Sequence, residues 1–188
     1  YVLVDEGVPL VVGNIVLEIQ RKTLEKPEIY LGLETEVRIS EQMPVGESTG
    51  VDVPGQLWKR YHMEKASIAA NLNTAVEMGM SHAEGTAQNL FTYFAGGLVQ
   101  NIPDRLQDGF VKRELSAGEY IVCRVEAENF EDLVTVALDQ ASKYLFDIWL
   151  PHHNLTTEPF SAEKYYRDLE GMACMEIWVK PLPLKNKS

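Results

Sequence analysis

The chain has only two cysteines in 188 residues. Cys123 and Cys174 both fall in strand-like runs without Cys-x-x-Cys spacing, and read as buried, reduced thiols. Four histidines, His62, His82, His152 and His153, show no ligand spacing beyond one adjacent pair. No zinc site is expected from them. A glycine-rich phosphate loop and a nucleophile–histidine–acid series are also missing. No metal and no cofactor are therefore expected. No apolar run approaches the roughly 20 residues of a membrane-spanning helix. The apolar start YVLVDEGVPLVV is broken by Asp5, Glu6 and Pro9 and lacks basic residues, so it does not read as a signal peptide. Without a secretion signal, the sequon Asn154-Leu155-Thr156 reads as chance, and the expected location is cytoplasmic. Because residue 1 is tyrosine and not methionine, a longer parent chain is expected.

Positive charge is scarce as well: 17 Lys and Arg face 28 Asp and Glu, a net charge of -11. Such a surface repels phosphate backbones, so these residues are not expected to grip nucleic acid. It favours solubility, or a bias toward cationic or neutral ligands. With 45% apolar residues, the chain has enough material for one domain or two fused halves.

Residues 1–32 read as an N-terminal connector, with a strand-like run at 11–19 and a break around Pro27. Residues 36–40 alternate with Val37 and Ile39 on one side, as a half-buried strand does. A turn-rich loop follows. The spacing then predicts a helix over 52–65, capped by Asp52, with Leu57, Trp58 and Tyr61 on one side. Strands are expected at 74–81 and 89–98, joined by a turn at 83–85. The second half repeats the order. Strands at 110–115 and 119–126 flank a Ser-Ala-Gly turn. A helix over 129–150 is capped by Asn129, buries a stripe from Phe130 to Ile148, and ends at Pro151. Residues 157–166 are a strand or an irregular edge, and 172–179 form a last strand. Strand–helix–strand–strand, twice, predicts an α+β fold: a tandem β-α-β-β repeat forming one antiparallel sheet with two helices on one face and a central cleft. The repeats span about 33–100 and 109–184, leaving 185–188 as a tail.

The last strand carries a carboxylate in its middle. Alternation in ACMEIWV points Cys174, Glu176 and Trp178 one way, and Met175, Ile177 and Val179 the other. Desolvating an ionised carboxylate is costly unless it is paired. Glu176 is therefore either paired, with Arg124 for example, or placed under the cleft to anchor a ligand.

MEIWVKPLP resembles the ending of GyrI-like effector-binding domains. LSAGEYIVCRVEAENFEDLVTVALDQASKYLFDIWLP resembles that family's second repeat. In the first repeat, MPVG before GQLWKRY, and NLFTYFAGG, are similar to the family pattern; Lys180 before Pro181 departs from it. The resemblance covers roughly residues 33–184. It implies a central pocket, and it places Glu176 at the position of the acid that contacts ligands in multidrug-binding members. It also implies an effector-binding domain behind a helix-turn-helix region of AraC/XylS or MerR type. Residues 7–34 resemble the stretch that joins such a region, of AraC/XylS type, to this domain.

Candidate ligand-binding residues are Glu176, Tyr93, Trp58, Trp178, Tyr120 and Tyr61. Trp58 is either core or cleft wall. Phe91 and Tyr93 share one face of their strand, opposite Phe94, and the sequence leaves open which face meets the cleft. Phenols and indoles can stack on a ligand, hold a cation or donate a hydrogen bond. The first reading is a bacterial sensor domain for an amphipathic or cationic aromatic molecule. Its partners are a small-molecule effector, DNA only through an upstream helix-turn-helix region, no membrane, and a second copy as a candidate homodimer. The alternatives are a GyrI-like hydrolase of reactive electrophiles, using Glu176 with Tyr93 or Tyr120, or a module that binds a basic protein.

Overall fold

The computed structural model describes residues 3–38, 53–83, 90–167 and 173–185. The Asp52 cap, the MPVG loop and most of the 83–85 turn lie outside them. The strands are β1 (Leu10–Val12), β2 (Ile15–Leu24), β3 (Glu28–Arg38), β4 (Leu72–His82), β5 (Leu90–Val99), β6 (Val111–Leu115), β7 (Gly118–Ala127), β8 (Leu155–Thr157), β9 (Phe160–Tyr166), β10 (Ala173–Val179) and β11 (Pro181–Pro183). Helix α1 is Val53–Glu64, continued by a 3-10 turn over Lys65–Asn71, and α2 covers residues 130–152. Nine strands form one antiparallel sheet in the order β1-β2-β7-β10-β9-β4-β5-β3-β6, and β8 pairs with β11 apart from it. The tandem arrangement is as expected, with β9 and β4 side by side at the centre and β7 and β3 in equivalent places.

Residues 10–32 do not trail from the sheet; they belong to it. β2 pairs with β7 from Val16 to Leu24, and Ile15, Leu17 and Ile19 are buried. The alternation of Ile15, Leu17 and Ile19 is the signature of a strand with one covered face. β2 and β3 lie near opposite ends of the sheet order, yet only residues 25–27 join them. β6 and β7, likewise far apart in the order, are linked by residues 116–117 alone. Two links this short require the sheet to curl until its flanks meet at that end. A flat sheet would separate β3 from β9 by about 14 Å. The curl instead brings the Lys164 ammonium within 2.6 Å of Glu28.

Register separates the two faces. One row runs Ile19, Cys123, Ile177, Glu163, Gly79, Ala95, Leu33, and this face meets both helices. The next row runs Glu18, Arg124, Glu176, Lys164, Met78, Gly96, Gly32, and lines the inside of the curl. Helix α2 packs Leu133, Ala137, Ala141, Leu145 and Trp149 on Ile121, Cys123, Val125, Met175 and Ile177. Helix α1 packs Leu57 and Tyr61 on Leu31, Leu33, Tyr93 and Ala95. Each such aliphatic side chain, fully buried, contributes roughly 1.5–3 kcal/mol.

The α2 stripe departs from even spacing. Leu133–Ala137 and Tyr144–Trp149 are wound as π-helix, which fits an extra residue into a turn. Trp149 is therefore buried while Ile148 is only half-buried, and Phe130 stays exposed at the helix entry. Asn129 caps as expected, accepting a 2.8 Å bond from the Asp132 N–H. Pro151 does not end the helix. It lies in the last turn of α2, whose backbone runs on to His152, and the left-handed Asn154 (φ 57°) stops the run.

Gly32 is required where β3 and β5 meet. A Cβ there would lie 2.0 Å from the carbonyl oxygen of Ala95. Gly32→Ala is expected to cost about 3 kcal/mol in urea denaturation. A loss below about 1 kcal/mol would show that the two strands tolerate a methyl group between them.

Candidate functional site

The buried acid of β10 lies on the inner face, away from both helices. Glu176 is 2% exposed. Its Oε1 accepts from the Tyr166 hydroxyl at 2.5 Å and from the Trp178 indole N–H at 3.2 Å, and its Oε2 accepts from Lys22 Nζ at 3.0 Å. Arg124 instead donates to Glu126 at 3.2 Å. Burial pulls the Glu176 carboxyl up, but the bonds from Tyr166 and Lys22, the Lys22 charge and the Trp178 bond hold it below the usual carboxylate range. A carboxyl raised by burial, the condition for a general base at Glu176, is therefore not what the structure shows. Lys164, only 3% exposed, lies 3.8 Å from the Trp178 ring centroid and donates to Glu28. Tyr30 also donates to Glu28, at 3.0 Å. Tyr120 packs edge-on to Trp178 at 5.1 Å and donates to the Ser116 carbonyl at 2.6 Å. Carboxylate, ammonium, indole and phenol groups on this face satisfy one another.

A second acid occupies the seam between the helices, at the centre of the sheet. Glu163 pairs in register with Ile177 on one side and Gly79 on the other, and so faces the helices. The Tyr165 hydroxyl donates to its Oε2 at 2.7 Å. Among the described residues no cation pairs with it. Burial pushes its carboxyl up, and the Tyr165 bond offsets only part of that shift. Aromatic rings surround it. Trp58 of α1 donates through Nε1 to the Tyr93 hydroxyl at 2.8 Å and meets Tyr165 edge-on at 5.7 Å. Phe130, at the start of α2, lies 6.1 Å from Tyr165. Gly79 makes room: a Cβ there would lie 2.3 Å from the Tyr93 oxygen and 3.5 Å from the Trp58 ring. At one end of the seam, buried Glu77 takes Arg167 at 2.7 Å, and His62 and Lys65 at 3.6 Å each. Tyr61 is fully buried beside Trp58, and among the described residues its hydroxyl has no hydrogen-bond partner.

The six expected ligand residues therefore divide. Trp58, Tyr61 and Tyr93 lie on the helix side, with Phe91, and Glu176, Trp178 and Tyr120 lie inside the curl with Phe94. One small molecule cannot touch both groups through the sheet. Neither Tyr93 nor Tyr120 reaches Glu176; the tyrosine on that acid is Tyr166.

Residues 18–180 match the family described as the GyrI-like small molecule binding domain. The chain belongs to this family. Solved structures agree on the fold. An integron cassette protein from the mobile metagenome of Vibrio cholerae superposes with a TM-score of 0.63 at 13% identity, over 90% of this chain and 99% of that one. The protein SAV2435 bound to tetraphenylphosphonium gives 0.62 at 17%, over 90% and 94%. A putative bacterial transcription regulation protein from Staphylococcus aureus MU50 gives 0.55 at 16%, over 88% and 97%. No curated protein sequence matches the chain. Among the described residues, no helix is long and apolar enough to cross a membrane.

In this GyrI-like domain the sequence reading missed Glu163, Tyr165 and Gly79. The signal was present in SAEKYYR. Glu163, Tyr165 and Arg167 alternate with Ala162, Lys164 and Tyr166, so adjacent opposite charges must point to opposite faces of one strand.

The two acids should respond oppositely to neutralisation. Glu176 is more acidic folded than unfolded. Its contribution is complete above the unfolded carboxyl pKa and lost as pH falls through the lower, folded value. Glu163 is less acidic folded, so its charge opposes folding above its folded value, and this penalty vanishes below the unfolded one. Glu176→Gln should cost about 2 kcal/mol at pH 7 and progressively less on acidification. Glu163→Gln should raise stability at a pH above its folded value. Urea melts of both variants from pH 7 to pH 3 check the two signs.

Proposed function

We propose that this domain binds a small amphipathic or cationic aromatic molecule in the seam between α1 and α2, with Glu163 as its anchor. The carrying observation is a partly buried carboxylate that has a phenol but, among the described residues, no cation beside it, flanked by Trp58, Tyr93 and Tyr165. Desolvating such a group in part without a counter-charge is costly, and an entering cation offsets that cost. The aromatic faces add attraction for a cation, worth up to about 2 kcal/mol when desolvated. The Glu176 side of the sheet supports a ligand less well, because Lys22 already takes the place of an incoming cation.

In this reading the domain is the effector-binding part of a bacterial transcriptional regulator and works in the cytoplasm. The family and the fold shared with a putative transcription regulation protein support it. The net charge of -11 leaves DNA contact to a separate, upstream region of AraC type. Ligand binding would act by favouring one spacing of α1 and α2 over another, since only differential affinity shifts such a balance.

Tetraphenylphosphonium, the molecule in the SAV2435 structure, is a suitable probe. A ligand that binds only the folded state raises the melting temperature by mass action. The expected result is a rise for wild type and for Glu176→Gln, and none for Glu163→Gln. A rise retained in Glu163→Gln and lost in a folded Glu176→Gln would move the site to the inner face and overturn the proposal.

A further inference from the structure

The seam already contains one cation on its aromatic wall. The Arg167 guanidinium lies 4.6 Å from the Phe130 ring centroid and 5.8 Å from that of Tyr165. It also pairs with Glu77 at 2.7 Å. Its backbone is pinned, since the Arg167 N–H donates to the Ala75 carbonyl at 2.9 Å, so the side chain can move without the strand. Tyr165 is at once the ring beside Arg167 and the hydrogen-bond partner of Glu163. The pair also ties the helices together: Phe130 begins α2, while Glu77 reaches His62 at the end of α1 and Lys65 just beyond it.

We propose that Arg167 is a resident competitor for the ligand's cationic group, and that the seam therefore selects flat, delocalised cations of amidinium or guanidinium type. This rests on the reading of the seam as the ligand site. A guanidinium is planar and weakly hydrated and stacks on rings, whereas an alkylammonium is compact and strongly hydrated. A wall that holds a guanidinium against two rings suits the first type. Entry of the ligand moves Arg167 off Tyr165 and onto Glu77 alone, which Lys65 continues to share. The observed affinity is then reduced by the fraction of molecules in which Arg167 covers the wall.

The test is calorimetric titration of the whole chain with benzamidine and with benzylamine at neutral pH. Wild type is measured beside Arg167→Met, Arg167→Lys and Glu163→Gln. Benzamidinium should bind wild type several-fold more tightly than benzylammonium. Arg167→Met should tighten benzamidinium binding on the order of tenfold. Arg167→Lys, which keeps a charge for Glu77 but stacks less well, should give a smaller gain and covers the case in which the methionine variant fails to fold. Equal affinity for the two probes, or no gain in either Arg167 variant, overturns the competitor while leaving the seam as the site, provided Glu163→Gln loses binding. If Glu163→Gln binds benzamidine as wild type does, or if no variant binds either probe, the seam reading itself falls and the competitor with it.

Discussion

The fold depends on a sheet that is covered on both faces. The helices cover one face, and the curl of the sheet covers the other with its own side chains. A strand at the centre of such a sheet has little solvent-exposed surface on which to put charge. β9 nevertheless carries Glu163 and Lys164 in succession. Alternation sends them to opposite faces, so they cannot neutralise each other. Each has to be accommodated where it lands. Lys164 finds Glu28 and the Trp178 ring, and becomes part of a closed network. Among the described residues Glu163 finds a phenol and no cation. The asymmetry between two neighbouring residues separates a structural charge from one suited to binding.

The short links explain why the inner network can form at all. Residues 25–27 and 116–117 hold the flanks of the sheet together at one end. That closure brings Glu28 and Tyr30 of β3 over Lys164, and Tyr120 of β7 against Trp178. Lys22 approaches Glu176 from β2 on the same face. A buried ion pair stabilises little by comparison with an apolar pair of equal volume, but leaving one member unpaired is expensive. The inner charges therefore act mainly against alternatives: a one-residue slip of β9 or β10 would send Lys164 or Glu176 to the wrong face.

The architecture was legible in the sequence because both helices have one apolar stripe and the turns are marked by glycine and proline. The order of elements and the place of β10 followed from that. Two things did not. In a sheet buried on both sides, apolar residues occupy both phases of a strand, so alternation shows which residues share a face but not which face meets the helices. This is why Glu176 could be grouped with Trp178 and yet be set under the helices rather than inside the curl. The partner of a buried charge is also invisible locally. Lys22 lies 154 positions from Glu176, and only the chain's path through β2 brings them together. The π-wound turns of α2 shift the stripe by one residue, from Ile148 to Trp149, in a way that 3.6-residue periodicity cannot anticipate.

The two faces also divide stability from responsiveness. On the inner face Glu176, Lys164, Glu34 and Arg124 each have a charged partner, and the Lys22–Glu176 and Lys164–Glu28 pairs bridge strands that are not neighbours, so moving them disturbs the sheet. On the helix face, the charges around the seam join mobile ends of side chains to the ends of α1 and α2. Glu77 keeps both Arg167 and Lys65 when Arg167 leaves the Tyr165 ring. Rearrangement there changes how the helices sit on the sheet without breaking a strand pair. A carboxylate left without a cation at that position lowers the stability of the empty domain. The inner network and the two apolar clusters under the helices supply the margin that lets such a group persist.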